Sequence, residues 1–415
     1  VERPRYQATL RVPPGSAPLT GDLSVRFVPD ADTDRLVFRL WANAPRLGRS
    51  GGRLEITAAE LGGVPVTGAY QPGGAARRRP GTIYTVPGTF PAGTPVEARL
   101  EFRLVMPGPV NDRVTRIGRS LRLGSVLPVL SWVRGHGWQT APAVDNFAEA
   151  AATEVADYDV RVTVPSGSAV LATGTEVEPG RFVATAVRDW AATVAPMRIA
   201  EAAAQGGKTT VSVGVASNAA GDPAALARRV AATVDKMAAR FGEYPYPRLS
   251  VGVTPSLSGG IEFPMHMHLG SGVHSSHMVH EVAHMWFYAV AGNDQHRDPW
   301  LDEALATYAE SRVSGRLAYQ RGRSIPAAGR GRLGASMDYW KAHPGAYHRA
   351  IYVGGLQALA AVADRLGGYA ALDCGLRRYH RDRAFTISAP AHFFDAVAAQ
   401  TGVDPRPVLA PFGIR

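Results

Sequence analysis

Two histidines four residues apart and a glutamate well beyond them constrain this chain more than any other feature: His280-Glu281-Val282-Ala283-His284, then eighteen residues, then Glu303. On a helix, residues four apart share a face, so His280 and His284 offer two imidazole nitrogens to one metal ion, while Glu281, one step round, flanks an open coordination position. Catalytic zinc takes three protein ligands and keeps a fourth position for water, and a carboxylate from a second helix is one way to complete the set. Glu303 has the spacing for that. Ser275 or Ser276 is predicted to cap the first helix and Gly292-Asn293-Asp294 to end it. Asp298 is predicted as N-cap of the second, with Pro299 at its first position. Glu310, seven residues after Glu303, returns to the same face and is expected to accept a hydrogen bond from the far nitrogen of a ligand histidine. The pattern reads as a zinc hydrolase site.

The rest of the composition narrows the field. At 415 residues and 46% apolar content the chain can bury two domain cores. Its one cysteine, Cys374, excludes an intramolecular disulfide and a CxxC metal or redox motif, so a metal site must be built from histidine and carboxylate. A formal charge of +10 raises the question of nucleic acid, but 42 of the 45 cations are arginine and they are scattered, so no nucleic-acid partner is expected. No run of eighteen apolar residues is present, and no transmembrane segment is expected.

In chain order, the first half reads as strands. Residues 6–12, 23–28, 36–40, 96–106, 158–165, 181–187 and 209–215 tend to alternate apolar and polar positions between Pro/Gly-rich turns, which predicts an antiparallel β domain. Residues 71–80, rich in glycine and arginine, read as a mobile surface turn. Helical spacing begins near Ala224 and helices dominate from there. Gln205-Gly206-Gly207 looks like a flexible link, so the division is placed at 1–210 for the β domain and 211–415 for a mostly helical catalytic domain.

Three further stretches carry polar chemistry. Gly259-Gly260-Ile261-Glu262-Phe263-Pro264 is a glycine pair whose backbone can approach a ligand, followed by a carboxylate; alone, an exposed strand-end glutamate is the ordinary reading. Seven of twelve histidines fall between His266 and His296. His266 and His268 alternate on a predicted strand and lack a third ligand, which favours a structural role; His277, one turn before His280, could shape the pocket rim, but a structural role is the ordinary reading for it too. Tyr352-Val353-Gly354-Gly355-Leu356 opens an apolar helix, where a tyrosine is ordinarily a core residue.

The stretch HEVAHMWFYAVAGND followed by PWLDEALATYAE resembles the HExxH-x18-E pattern of the aminopeptidase N-type gluzincins, the membrane alanyl aminopeptidase family of zinc metallopeptidases. The resemblance implies a β domain followed by a thermolysin-like domain, and a Zn2+ cofactor on His280, His284 and Glu303. It also implies Glu281 as general base and a substrate-lining strand at Gly259 and Gly260. On that strand Glu262 would hold the free α-amine of a peptide, and Tyr352 would stabilise the tetrahedral intermediate. Ile261 replaces a methionine of the family motif, Phe263 an asparagine and Gly354 a lysine, while Gly329-Arg330-Gly331-Arg332 has no counterpart. The family likeness favours an extracytoplasmic protein, secreted or envelope-associated. A zinc endopeptidase or amide hydrolase on the same core, and a catalytically silent binding protein, remain the alternatives.

Overall fold

A computed structural model describes residues 2–72, 80–144 and 152–415. The predicted strands form with ends shifted by a few residues, because half-buried alternation is what a sheet with one covered face requires. Leu19–Phe27 buries every second residue, as does Val96–Val105 through Ala98, Leu100, Phe102 and Leu104. These two strands pair at the middle of an eight-stranded sheet that continues through Arg5–Arg11 and Ala156–Thr163 on one side and Arg53–Leu61 on the other. The sheet is not wholly antiparallel: Arg5–Arg11 runs parallel to Ala156–Thr163. That pairing joins segments about 150 residues apart, so no turn chemistry announces it. Most of the glycine- and arginine-rich turn, residues 73–79, lies outside the described residues.

The second half is built on a five-stranded sheet in the order Met197–Ala204, Thr209–Ala216, Arg248–Thr254, His266–Gly270, Gly260–Phe263. Its middle strands are parallel, and the connection they require is the helix Pro223–Phe241, which opens with Asp222 accepting from the Ala224 amide at 3.0 Å. The division at residue 210 therefore needs correction. Gln205–Gly207 is the turn of a hairpin whose arms, Met197–Ala204 and Thr209–Ala216, pair along their whole length. The chain leaves the β half earlier, between Ala195, the end of a strand paired with Ser120–Gly124, and Met197. Helices then dominate from Ser275 to the C-terminus.

The two halves are stitched through buried polar groups. His266 sits 2.6 Å from Ser250 Oγ and 3.1 Å from Thr193 Oγ1, and His268 Nε2 is 3.1 Å from the Ala192 carbonyl. Burial pushes the His266 pKa down to about 3 and that of His268 well below the usual range, so both are neutral core bridges, in keeping with the structural role expected of them. Arg122, fully buried, donates to Thr254 Oγ1 and to the Pro255 carbonyl, both at 2.8 Å. Arg188 reaches the carbonyls of Ala289, Val290 and Thr386. A single contiguous apolar core runs through both halves, from Tyr6 to Ile414.

Candidate metal centre

The first histidine helix spans Ser275–Ala283, and its backbone bonds carry one step further, with the His284 amide donating to the His280 carbonyl at 3.3 Å. No serine caps it; the capping position is His274, without a side-chain bond. Nor does the helix run on to Gly292 as expected. Met285, Trp286, Phe287 and Tyr288 are all buried, which a helix with a single core-facing stripe cannot achieve, so the chain turns tightly there and Tyr288 adopts φ 138°. Gly292–Asn293 instead pairs in parallel with Ile387–Ser388. The second helix, Trp300–Ser314, starts with Pro299 at its capping position, one residue later than the sequence suggested.

These helices bring His280, His284 and Glu303 together. His280 Nε2 and His284 Nε2 are 3.0 Å apart, His280 Nε2 is 3.2 Å from Glu303 Oε2, and His284 Nε2 is 3.4 Å from the same oxygen. Donors about 2.0–2.1 Å from a tetrahedral ion stand roughly 3.3–3.4 Å from one another, so the triangle has the size of one face of a zinc site. His284 and Glu303 are buried and His280 is partly exposed, which leaves one side open. Burial alone would raise the Glu303 pKa, but hydrogen bonds with both histidines and their charge hold it well below the usual carboxylate range.

The carboxylate that meets the far nitrogen of a ligand histidine is Asp302, not Glu310. Asp302 Oδ1 lies 2.7 Å from His284 Nδ1, while Oδ2 accepts from Gln295 Nε2 at 2.7 Å. Glu310, also buried, accepts from Ser314 Oγ at 3.2 Å. Helical spacing points two turns beyond Glu303, to Glu310, whereas the rotation of the two helices presents the immediate neighbour of Glu303 to His284.

Glu262 stands on the edge strand Gly260–Phe263, whose period of two sends Ile261 and Phe263 into a small apolar cluster with Ala191 and Leu257. Glu262 is thereby turned the opposite way, and its carboxylate, that of Glu281 and the His284 imidazole come within 4.8 Å of one another. One oxygen of each glutamate, Glu262 Oε1 and Glu281 Oε2, is buried without a partner among the described residues. Burial, then the neighbouring Glu262 carboxylate, pushes the Glu281 pKa well above the usual range; Glu262 is raised first by burial. A divalent cation alongside would oppose both shifts. Gly260 matters here in a way the sequence did not show. A Cβ on it would lie 2.3 Å from Glu281 Cγ, so its close approach to the glutamate needs a glycine, while a Cβ on Gly259 would meet only His277, at 3.7 Å.

Tyr352 completes the cleft. It lies in a π-helical turn, Arg349–Gly354, leading into the helix Gly355–Arg365. Its hydroxyl donates to Glu303 Oε1 at 2.5 Å. That helix can approach so closely because Gly355 faces Ala304: a Cβ there would be 2.3 Å from the alanine methyl. No helix of the described residues is long and apolar enough to cross a membrane.

No protein-family model matches the chain, and no curated protein sequence matches it. Solved structures do. A zinc metallopeptidase of the M1 family from Deinococcus radiodurans superimposes with a TM-score of 0.72 at 20% identity, covering 100% of this chain and 94% of that one. A mutant of that enzyme bound to a Tyr-Ser-Ala substrate, and a two-domain M1 zinc metallopeptidase mutant bound to L-arginine, each give 0.71 at the same identity and coverage. The chain has the fold of these M1 zinc metallopeptidases over its whole length.

Proposed function

We propose that this protein is a zinc aminopeptidase that hydrolyses the first peptide bond of peptides with a free N-terminus, its second half being a thermolysin-like catalytic domain. The observation that carries the proposal is the convergence of His280, His284 and Glu303 within 3.0–3.4 Å, with two buried glutamates alongside. The likeness to M1 metallopeptidases, one of them bound to a tripeptide, supports it.

His280, His284 and Glu303 would hold the ion, and Asp302 fixes the tautomer and orientation of His284. A bound zinc ion supplies Lewis acidity toward the scissile carbonyl and acidifies water to a pKa near ~7. Glu281 takes a proton from the attacking water and returns it to the leaving amine. Tyr352 donates its hydroxyl hydrogen to the developing oxyanion. Glu262, with one oxygen unpartnered, receives the protonated α-amine and so places the first peptide bond at the cleft.

Phe263 leaves room for a second reading. It is packed in the core where the family motif carries an asparagine, so the chain departs from that exopeptidase motif, and cleavage of internal or blocked amides is the competing activity. Paired free and N-acetylated peptides separate the two, with cleavage confined to the free series expected. For the metal, purified protein should carry about one zinc per chain, and Asp302→Ala should weaken zinc binding ~10- to 100-fold without abolishing it. Titration calorimetry checks both; a chain that takes up no zinc at neutral pH would overturn the assignment.

A further inference from the structure

Two imidazoles stack nearly parallel to the ring of Tyr352. His280 lies 5.5 Å away between centroids with the planes 19° apart, and His348 lies 4.4 Å away at 23°. Tyr347 meets the same ring edge-on at 6.2 Å and 82°. His348 immediately precedes the π-helical turn, four residues before Tyr352, which is the spacing that stacks side chains along one helix face. Its own exposure is high, and among the described residues its ring makes no hydrogen bond.

The tyrosine needs such a contact. Its hydroxyl already bonds Glu303 Oε1 at 2.5 Å, and donating to a substrate oxyanion instead requires a turn of the O–H or a small tilt of the ring, not a change of rotamer. A ring stacked against near-parallel imidazoles keeps its plane while the hydroxyl hydrogen stays free to rotate. A ring with one face open to solvent can swing away, and misplacement of a catalytic group by about 1 Å costs on the order of a hundredfold.

We propose that His348 is a positioning residue: its imidazole braces one side of the Tyr352 ring and holds the hydroxyl between Glu303 and the reacting carbonyl. This rests on the peptidase reading above for its functional consequence, but the brace itself is a property of the side chains.

The experiment reads both. 3-Fluorotyrosine placed at position 352 of the metal-free full chain should give one narrow 19F resonance, and His348→Ala should broaden or split it, while His348→Phe, which keeps a flat ring in place, should restore the narrow line. In the zinc-loaded protein with a free tripeptide, His348→Ala should lower kcat about 10- to 100-fold with KM changed less than about twofold, and His348→Phe should recover most of the loss. In a Tyr352→Phe background His348→Ala should have no further effect on kcat. An unaltered 19F spectrum in His348→Ala overturns the brace, as does a phenylalanine variant as impaired as the alanine one. A parent protein that shows the spectral change but cleaves no peptide leaves the brace standing and removes the aminopeptidase reading.

Discussion

Glu281→Gln is expected to keep its zinc and its fold and to lose about 10³- to 10⁴-fold in kcat, because the amide has the size of the carboxylate but cannot take a proton. The size match matters at this site. Glu281 Cγ packs where a Cβ on Gly260 would fall, so the side chain is held by contact as well as by charge, and the glutamine inherits the contact. The fold should gain slightly, if anything, since the substitution removes one of two adjacent buried carboxyls, each pushed upward in pKa by burial. Steady-state kinetics, zinc analysis and a thermal melt on one preparation check the three parts together. Turnover within tenfold of the parent would take the general-base role from Glu281.

Glu262→Ala should be nearly as costly, but only for substrates with a free amine. Its carboxylate offers a charge-assisted contact to an α-ammonium group, and losing that contact raises KM and lets the scissile bond drift, for a combined loss of about 2 to 4 kcal/mol in kcat/KM, or ~30- to 900-fold. N-acetylated peptides should be poor substrates before and after the change. If the variant still prefers free over acetylated peptides by the parent's ratio, Glu262 does not read the amine, and the internal-amide reading becomes the better account.

The grouping of the proposed ligands was legible in the sequence because a helix converts a spacing of four into a shared face, and the strand converts a spacing of two into opposite faces. His280 with His284, and Glu262 turned away from Ile261 and Phe263, both follow from that arithmetic. Residue pairs decided by the relative rotation of separate elements were not legible: Asp302 against His284, and Gly260 against Glu281, depend on how two packed elements face each other. The misplaced boundary has another cause. A Gln-Gly-Gly turn has the same chemistry in a linker as in a hairpin, and only the pairing of Met197–Ala204 with Thr209–Ala216 tells them apart. The early end of the first histidine helix reflects the same kind of tertiary override, where burying four successive large side chains outweighs local helical preference.

The bridges across the two halves bear on how the molecule comes apart. Ile261 and Phe263, which set the facing of Glu262, pack on Ala191 from the β half, and His266 and His268 of the neighbouring strand bond to Thr193 and Ala192. The strand that carries Glu262 thus borrows its rigidity from the other half of the chain. Multi-domain chains commonly melt in steps. Here a single calorimetric peak is expected, with van't Hoff and measured enthalpies in agreement, and residues 197–415 produced alone should fail to reach a native state because their sheet would expose an apolar face. The β half is then less a neighbour of the catalytic machinery than its missing wall, and cooperativity between the halves is the condition under which the cleft exists at all.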